Sequence, residues 1–313
     1  MLLSLFSKYS IIYLKLAKIR VMMLVIFTSI IYASFFLKNN FNLENIINAI
    51  KIQNFHLYNE FFKDIQHFII CIIALSLAAC ACGILNMAIE SDLDFKMQRT
   101  KNRPIPLLQI SKKHAFILGY ILAILSLYIS YIYLYFYVSI MLFLSIFIYI
   151  LLYTIILKQH SIHDIEIGSI SGALPPIIMS YALDLYITKE SLLLFLIIFF
   201  WTMPHSYSLG IHLAEDYKLA NIPTIHQKIG LEKTYWIMFF YACITCILAS
   251  YLAYNINLLC LFCSLIFNFY LLKKNYQLIY KNLKPFLYFK ASIVYLSSLC
   301  CCYLIFNIFI FLI

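Results

Sequence analysis

Three oxygen-bearing side chains stand at intervals of four residues where a long apolar segment ends. They are Asn86, Glu90 and Asp94. Because each step of four residues along an α-helix drifts by only about 40°, a helix would place the three side chains on one face. Amide and carboxylate oxygens suit Mg²⁺, which proteins commonly bind through one or two carboxylates together with the phosphates of a substrate. The spacing therefore predicts a site for a divalent cation and a phosphorylated ligand.

Basic side chains follow this acidic face closely. Arg99, Lys101 and Arg103 come next along the chain. The two groups together indicate a metal-bridged diphosphate site. The carboxylates would bind the metal, the metal would bind the phosphates, and the basic side chains would stabilise the negative charge of the leaving diphosphate. An alternative is an interfacial loop whose charges only fix the topology. That alternative explains poorly why the polar face begins inside an apolar helix, where ionisable groups are costly.

The composition places these residues in a membrane protein. Of the 313 residues, 64% are hydrophobic and 12% are charged, against about 45–50% and about 25% in soluble proteins. A helix needs about 20 apolar residues to cross a bilayer, and the uncharged runs 114–157 and 234–272 are each long enough for two crossings. Five more runs supply one crossing each: 21–37, 65–89, 167–183, 191–214 and 291–313. The sequence predicts one all-α integral membrane domain over 1–313, a bundle of about nine transmembrane helices.

Charge is distributed unevenly between the two ends of this predicted bundle. The net charge is +10, and 19 of the 23 Lys and Arg residues fall in one set of segments. Those segments are 1–20, 90–113, 158–166, 215–233 and 273–290. Cytoplasmic loops of membrane proteins are enriched in Lys and Arg, so we expect these segments and the N-terminus on the cytoplasmic side of a bacterial inner (plasma) membrane. The excess of Lys and Arg over Asp and Glu is then explained by the membrane topology, and no nucleic-acid partner is expected.

Further polar side chains are expected at the same end of the bundle. His205, beside Trp201 in a predicted span, either packs in the core or lines a pocket. Asp216 is expected at the depth of Asp94, where it either completes the metal site or is a solvated loop acid. Lys158, at the end of the fourth span, either assists an anion or marks the membrane boundary.

Three stretches carry a resemblance to a known family. Residues 86–104, NMAIESDLDFKMQRTKNRP, are similar to the N-x-x-x-D-x-x-x-D signature, with its M-x-R-T-x-x-R-P ending, of the UbiA superfamily of intramembrane prenyltransferases. The stretches 158–176, KQHSIHDIEIGSISGALPP, and 201–223, WTMPHSYSLGIHLAEDYKLANIP, extend the resemblance. The W-x-x-P-H-S-Y and D-Y-x-x-A-x-I-P elements resemble the haem-directed branch. The similarity covers residues 13–230, and Glu90 departs from it, since the family usually has Asp there.

The resemblance implies an activity, its substrates and its site residues. Farnesyl diphosphate would lose pyrophosphate with the help of Mg²⁺, the farnesyl group would alkylate the 2-vinyl group of haem B, and water would add, which gives haem O for terminal oxidases. By the resemblance, metal binding and catalysis are expected of Asn86, Glu90, Asp94 and Asp216. Substrate-binding roles are expected of Arg99, Lys101, Arg103, Lys158, His205 and Tyr217. The expected partners are the lipid bilayer and a haem A synthase or terminal oxidase assembly proteins.

Two alternative functions stay open on the sequence. A prenyltransferase of the same superfamily could act on an aromatic acceptor, such as a hydroxybenzoate or a quinone precursor, because the preference for haem depends on the stretch 201–223. A non-catalytic membrane carrier is disfavoured. Transporters place ionisable residues near the bilayer midplane, whereas the acids here gather at one end of the spans.

Overall fold

The structure is a computed structural model that describes residues 12–41 and 55–312. Predictions that fall on 1–11, on 42–54 of the loop 38–64, and on Ile313 lie outside the described residues. Every regular element within the described ranges is helical, which confirms the predicted all-α fold. In chain order the helices are α1 (Ile19–Asn40), α2 (Phe55–Ile89), α3 (Ser91–Lys96), α4 (Lys112–Tyr133), α5 (Phe136–Phe147), α6 (Asp164–Ala173), α7 (Pro175–Leu183), α8 (Lys189–His212), α9 (Ala214–Leu219), α10 (Ile225–Ile229), α11 (Leu231–Ile256), α12 (Leu258–Tyr280) and α13 (Pro285–Leu312).

Eight of the nine predicted spans are continuous helices, long and apolar enough to cross a membrane. These are α1, α2, α4, α5 with its continuation, α8, α11, α12 and α13. The continuation of α5 is a π-helical segment, Ile148–Leu157, which completes the predicted span. Helix α2 begins at Phe55, upstream of the predicted span 65–89. The protein is therefore a multi-pass membrane protein, as its composition indicates.

The ninth predicted span, 167–183, is divided into two short helices. Helix α6 ends at Ala173 and α7 begins at Pro175. Proline lacks an N–H and cannot continue the preceding helix, but it fits the first position of a new one. The pair of short helices therefore replaces the single straight span that the apolar run alone predicts.

Contacts with α8 show that α6 and α7 together still connect the two ends of the bundle. Near the end of α8, Tyr207 donates a hydrogen bond to Glu166 of α6. At its start, the hydroxyl of Thr188 donates to Tyr32 at 3.1 Å, and Tyr32 donates to Asp184, which ends α7. Because α8 itself spans the bundle, the broken pair runs from one end to the other.

Several polar side chains in the core of the bundle pair across α11, α12 and α13. Tyr295 donates to the side chain of Asn268 at 2.8 Å, and Tyr303 donates to the carbonyl of Ala249 at 2.7 Å. The Asn268 amide in turn donates to the carbonyl of Cys246 at 3.0 Å. Unpaired polar groups are costly in hydrocarbon, so these bonds fix how α11, α12 and α13 pack.

Candidate active site

The polar face that begins in α2 continues without interruption into α3. The Glu90 amide donates to the Asn86 carbonyl at 2.9 Å, and the Asp94 amide donates to the Glu90 carbonyl at 2.8 Å. These bonds keep the four-residue helical repeat across the junction between the two helices. The three residues are 1%, 3% and 2% exposed in that order. The structure thus places a buried amide and two buried carboxylates on one face.

Each of these acceptors has its own cationic partner. The pairs are Lys18 with Asn86, Lys158 with Glu90, and Arg103 with Asp94. In the last pair, one guanidinium nitrogen lies 2.8 and 2.7 Å from the two carboxylate oxygens. The Lys158 and Arg103 side chains are themselves only 15% and 22% exposed. Sequence analysis predicted two of these three cations as phosphate ligands but treated Lys18 only as a topology signal.

The electrostatics of the cluster favour an added anion. Burial alone would raise the pKa of Glu90, but Lys158, Lys18 and Arg103 together outweigh it and hold that pKa below its ordinary value. Burial, followed by the nearby Arg103, lowers the pKa of Lys18 to about 7. Four basic side chains, Lys18, Arg99, Arg103 and Lys158, line the polar cavity, against the two carboxyl groups of Glu90 and Asp164. A diphosphate would balance this excess of positive charge.

Lys18 reaches the acidic face from a tight turn that depends on a close approach to α2. Its backbone is in the left-handed region, with φ 50°. A Cβ on Gly83 would lie 2.9 Å from the carbonyl oxygen of Ala17. Only glycine at this position lets the turn pack so closely against α2. The spacing of the motifs gave no signal for this approach, because it joins residues far apart in the chain.

Asp216 binds the loop that carries the arginines. Its two carboxylate oxygens accept hydrogen bonds from the backbone amides of Gln98 at 3.1 Å and Arg99 at 3.0 Å. The side chain is buried, and the contact places Asp216 at the same end of the bundle as Asp94. The geometry makes Asp216 a positioning residue for the 97–103 loop. Its expected role as a metal ligand stays a prediction.

The remaining predicted site residues divide between the cavity wall and the surface. Arg99 and Tyr217 line a polar cavity of about 300 Å³, together with Glu90 and Lys158. Lys101 is exposed and lies outside the cavity lining that the described residues form. The structure therefore brings together most of the predicted phosphate ligands and leaves Lys101 at the surface.

An apolar cavity of about 350 Å³ adjoins the polar one. The residues that line both are Lys18, Val21, Tyr149, Tyr153, Ile165 and Ser206. At this junction the rings of Tyr149 and Tyr153 lie 5.4 Å apart, and the Lys158 ammonium lies 5.7 Å from the centre of the Tyr153 ring. The combined site has one end suited to phosphates and another suited to a hydrocarbon chain.

His205 lies in the wall of the apolar cavity. Its ring is stacked between Trp201 and Phe289, with centroid distances of 4.4 and 4.5 Å. Its Nδ1 forms a 2.8 Å hydrogen bond with the hydroxyl of Ser292. The two alternatives from the sequence are thus combined, because the ring packs in the core and also borders a pocket.

Two carboxylates near the cavity were not singled out by the sequence. Asp164 lines the polar cavity and is buried, and burial raises its pKa to about 7. Glu166 accepts the hydroxyl of Tyr207, and its Oε1 lies 3.3 Å from Nδ1 of His163. Both acids lie in the short stretch between two spans, where the sequence alone could not distinguish a solvated loop from a cavity wall.

The donor set fits magnesium when a diphosphate accompanies it. Within the described part of the chain, no three His, Cys, Asp or Glu side chains converge as they would at a metal site made by protein alone. Asn86, Glu90 and Asp94 supply one amide and two carboxylate oxygens from one buried face. Magnesium is commonly bound by one or two carboxylates, with substrate phosphates and water as the other ligands. The residues present therefore match that mode of binding.

Comparison with known proteins agrees with this geometry. The profile of the UbiA prenyltransferase family matches residues 56–303. The protoheme IX farnesyltransferase of Bartonella henselae is 33% identical over 238 residues, which are 76% of this chain and 69% of that protein. The protoheme IX farnesyltransferase of Orientia tsutsugamushi is 35% identical over 248 residues, 78% of this chain and 77% of that protein.

A solved structure shares the fold at low sequence identity. It is a UbiA homologue from Archaeoglobus fulgidus bound to DMAPP and Mg²⁺. The TM-score is 0.66 at 14% identity, over 96% of this chain and 98% of that one. Since the family profile matches most of the chain and the curated relatives cover more than two thirds of it, this chain belongs to the UbiA prenyltransferase family.

Proposed function

We propose that the protein transfers the farnesyl group of farnesyl diphosphate to the 2-vinyl group of haem B, with water addition, to give haem O. The names of the curated relatives support this choice of donor and acceptor. The observation that carries the proposal is the junction of the polar and apolar cavities. A prenyl diphosphate has one polyanionic end and one hydrocarbon end, and the two cavities match these ends.

The polar cavity supplies the groups that bind the diphosphate. Lys158, Arg99 and Arg103 lie where their cationic heads can bind phosphate oxygens, and Lys18 lies between the two cavities. When bound, Mg²⁺ neutralises charge on the diphosphate and so makes pyrophosphate a better leaving group. Asn86, Glu90 and Asp94 would hold the ion. The UbiA homologue bound to DMAPP and Mg²⁺ shares this fold, which supports a prenyl diphosphate and Mg²⁺ as the ligands.

The junction of the cavities suits the reacting carbon. As the C–O bond to diphosphate breaks, positive charge develops on the first carbon of the farnesyl chain. The faces of Tyr149 and Tyr153 border both cavities and can attract such a cation. The apolar walls beyond them exclude water, which would otherwise capture the cation too early.

The acceptor is proposed to bind against the wall that carries His205. Trp201 and His205 line the apolar cavity, and the Phe289 ring stacks on His205 and holds it in place. A porphyrin is a planar aromatic ring system, and aromatic rings pack favourably against one another in offset or edge-to-face arrangements. This wall is the part of the site that would distinguish haem from a smaller aromatic acceptor.

The cellular setting follows from the charge distribution. We place the protein in a bacterial inner membrane with its N-terminus and the diphosphate site on the cytoplasmic side, because 19 of its 23 Lys and Arg residues lie in the segments at that end. A haem A synthase or terminal oxidase assembly proteins would take up the product.

An acceptor competition tests the function. Purified protein is given farnesyl diphosphate, Mg²⁺ and equal amounts of haem B and a hydroxybenzoate, and the products are identified by mass spectrometry. We expect hydroxyethylfarnesyl haem and no prenylated hydroxybenzoate. Formation of the prenylated benzoate with unreacted haem B would instead favour the aromatic acceptor.

A further inference from the structure

Asp164 is a buried carboxylate in the wall of the polar cavity that has no Lys or Arg salt-bridge partner among the described residues. Glu90 and Asp94 pair with Lys158 and Arg103, Asp216 binds two backbone amides, and Glu166 accepts the Tyr207 hydroxyl. Asp164 forms no salt bridge with any described residue, and its carboxylate meets the backbone amides of its own turn, at Asp164 and Ile165. It is 8% exposed and lines the polar cavity. A buried carboxylate without a cation is costly, so its place in a cavity wall needs an explanation.

Its position is next to the junction where the reacting carbon would lie. The adjacent Ile165 lines both cavities, and Asp164 lines the polar one. Tyr153 and Tyr207, which also line the polar cavity, both lie within electrostatic range of Asp164. Asp164 is thus near the diphosphate end of the hydrocarbon chain and remote from its tail.

The proposed reaction needs a proton acceptor at this place. The π electrons of the vinyl group form a bond to the first farnesyl carbon while the C–O bond to diphosphate breaks. Positive charge is then left on the vinyl carbon attached to the porphyrin. The oxygen of a water molecule then forms a bond to that carbon through one of its lone pairs. One proton of the water must leave to give the neutral alcohol.

We propose that Asp164 is the general base that orients this water and accepts its proton. The assignment rests on the proposed function, since it concerns the last step of that reaction. The carboxylate gains the proton, the water oxygen keeps the electron pair of the broken O–H bond, and no oxidant or further reactant is needed. The protonated acid then returns the proton to solvent through the polar cavity.

The environment of Asp164 gives it suitable basicity. Burial raises its pKa to about 7, Lys158 opposes the rise, and Glu166 adds to it. A general base is most effective when its pKa lies near the working pH. The other ionisable groups that border the cavity are Lys18, Glu90, Arg99, Arg103, Tyr149, Tyr153, Tyr207, Tyr217 and His226. The ionised, proton-accepting form of Asp164 is therefore lost as the pH falls through about 7.

Product analysis of Asp164→Asn tests the assignment. The variant removes a buried charge that has no ion partner, so we expect it to fold. Purified wild type, Asp164→Asn, Asp164→Glu and the control Asp92→Asn receive farnesyl diphosphate, haem B and Mg²⁺. Asp92 is matched in chemistry but is exposed and pairs with Lys112 at the surface. Pyrophosphate release and the masses of the haem products are followed together, between about pH 6 and about pH 8.

We expect Asp164→Asn to release pyrophosphate within about threefold of the wild-type rate. The hydroxylated product should fall by about 10²-fold or more, as on loss of a general base, and the remaining product should be an alkene one water lighter. Asp164→Glu should restore the alcohol. The share of alcohol made by the wild type should decrease below about pH 7, whereas the share made by Asp164→Asn should not change with pH.

An unchanged alcohol share in Asp164→Asn, or a parallel loss of pyrophosphate release and alcohol, overturns the assignment of Asp164 alone. A wild type that makes no farnesylated haem overturns the proposed function together with this role.

Discussion

Arg103 holds both carboxylate oxygens of Asp94 through one guanidinium nitrogen, at 2.8 and 2.7 Å. The contact joins a predicted phosphate ligand to a predicted metal ligand. A metal ion bound by this carboxylate would leave the guanidinium free to bind the phosphates that accompany the ion. We infer that binding of the metal and of the diphosphate is cooperative, because each frees a partner for the other.

Replacement of this arginine should weaken binding of the donor substrate more than it changes chemistry at saturation. Hydrogen bonds to charged groups contribute about 1.5–3 kcal/mol, so Arg103→Met should raise the KM for farnesyl diphosphate about tenfold or more. Initial rates of pyrophosphate release over a range of substrate concentrations give KM and kcat. Lys112→Met removes an exposed cation at the same end of the bundle and should leave both constants unchanged. A normal KM in Arg103→Met would exclude a phosphate role for Arg103.

The Lys158–Glu90 pair should show the penalty of leaving one buried charge alone. Lys158→Met keeps the Glu90 carboxylate buried without its partner, which typically costs about 3–5 kcal/mol, whereas removal of both charges costs far less. We therefore expect the double variant Glu90→Gln, Lys158→Met to have a higher unfolding temperature in detergent than Lys158→Met alone. The exposed Lys112–Asp92 pair is the control, and its loss should cost less than about 1 kcal/mol. Additive effects at Lys158 and Glu90 would mean that the pair is not coupled.

Asp216→Asn should distinguish a positioning role from metal binding. An amide offers one acceptor where the carboxylate offers two, so one of the amides of Gln98 and Arg99 loses its partner. Displacement of the arginine loop should raise the KM for farnesyl diphosphate about tenfold, while the Mg²⁺ concentration for half-maximal activity stays unchanged. A large rise in that Mg²⁺ requirement at saturating diphosphate would instead support Asp216 as a metal ligand.

Gly83→Ala should act on the site through Lys18. The added methyl group would lie 2.9 Å from the Ala17 carbonyl oxygen, so the turn that presents Lys18 must move. We expect Gly83→Ala and Lys18→Met to weaken farnesyl diphosphate binding to a similar extent, measured as KM. Because both changes remove the same interaction, the double variant should have the same KM for farnesyl diphosphate as Lys18→Met alone. Fully additive losses would show that Gly83 acts elsewhere.

The sequence predicted the features of the molecule that depend on local spacing. The four-residue intervals placed Asn86, Glu90 and Asp94 on one face, and hydrogen bonds across the α2–α3 junction maintain that face. Uncharged runs predicted nine spans, and eight of them are continuous helices. The prolines at 175 and 176 account for the division of the ninth into α6 and α7. These features are readable because each is determined by residues within one or two helical turns.

Features that depend on distant pairs were not predictable from spacing. The approach of Lys18 to Asn86 joins α2 to a turn before α1, and the hydrogen bonds of Asp216 join α9 to the loop after α3. Only the packing of the helices determines which partners meet. Asp164 begins α6 in a stretch that the sequence predicts as a loop between two spans, and its burial results from the neighbouring elements. Spacing alone therefore did not distinguish it from other loop acids.

The most direct test of the account is haem O formation by a variant in which both site carboxylates become amides. Purified wild type and the double variant Glu90→Gln, Asp94→Asn receive farnesyl diphosphate, haem B and Mg²⁺, and haem products are quantified by mass spectrometry. Because metal polarisation of a leaving group is worth several kcal/mol, we predict that the variant makes haem O about 10³-fold more slowly or not at all. Haem O formation at the wild-type rate by this variant would contradict a metal–diphosphate site on the face formed by Asn86, Glu90 and Asp94.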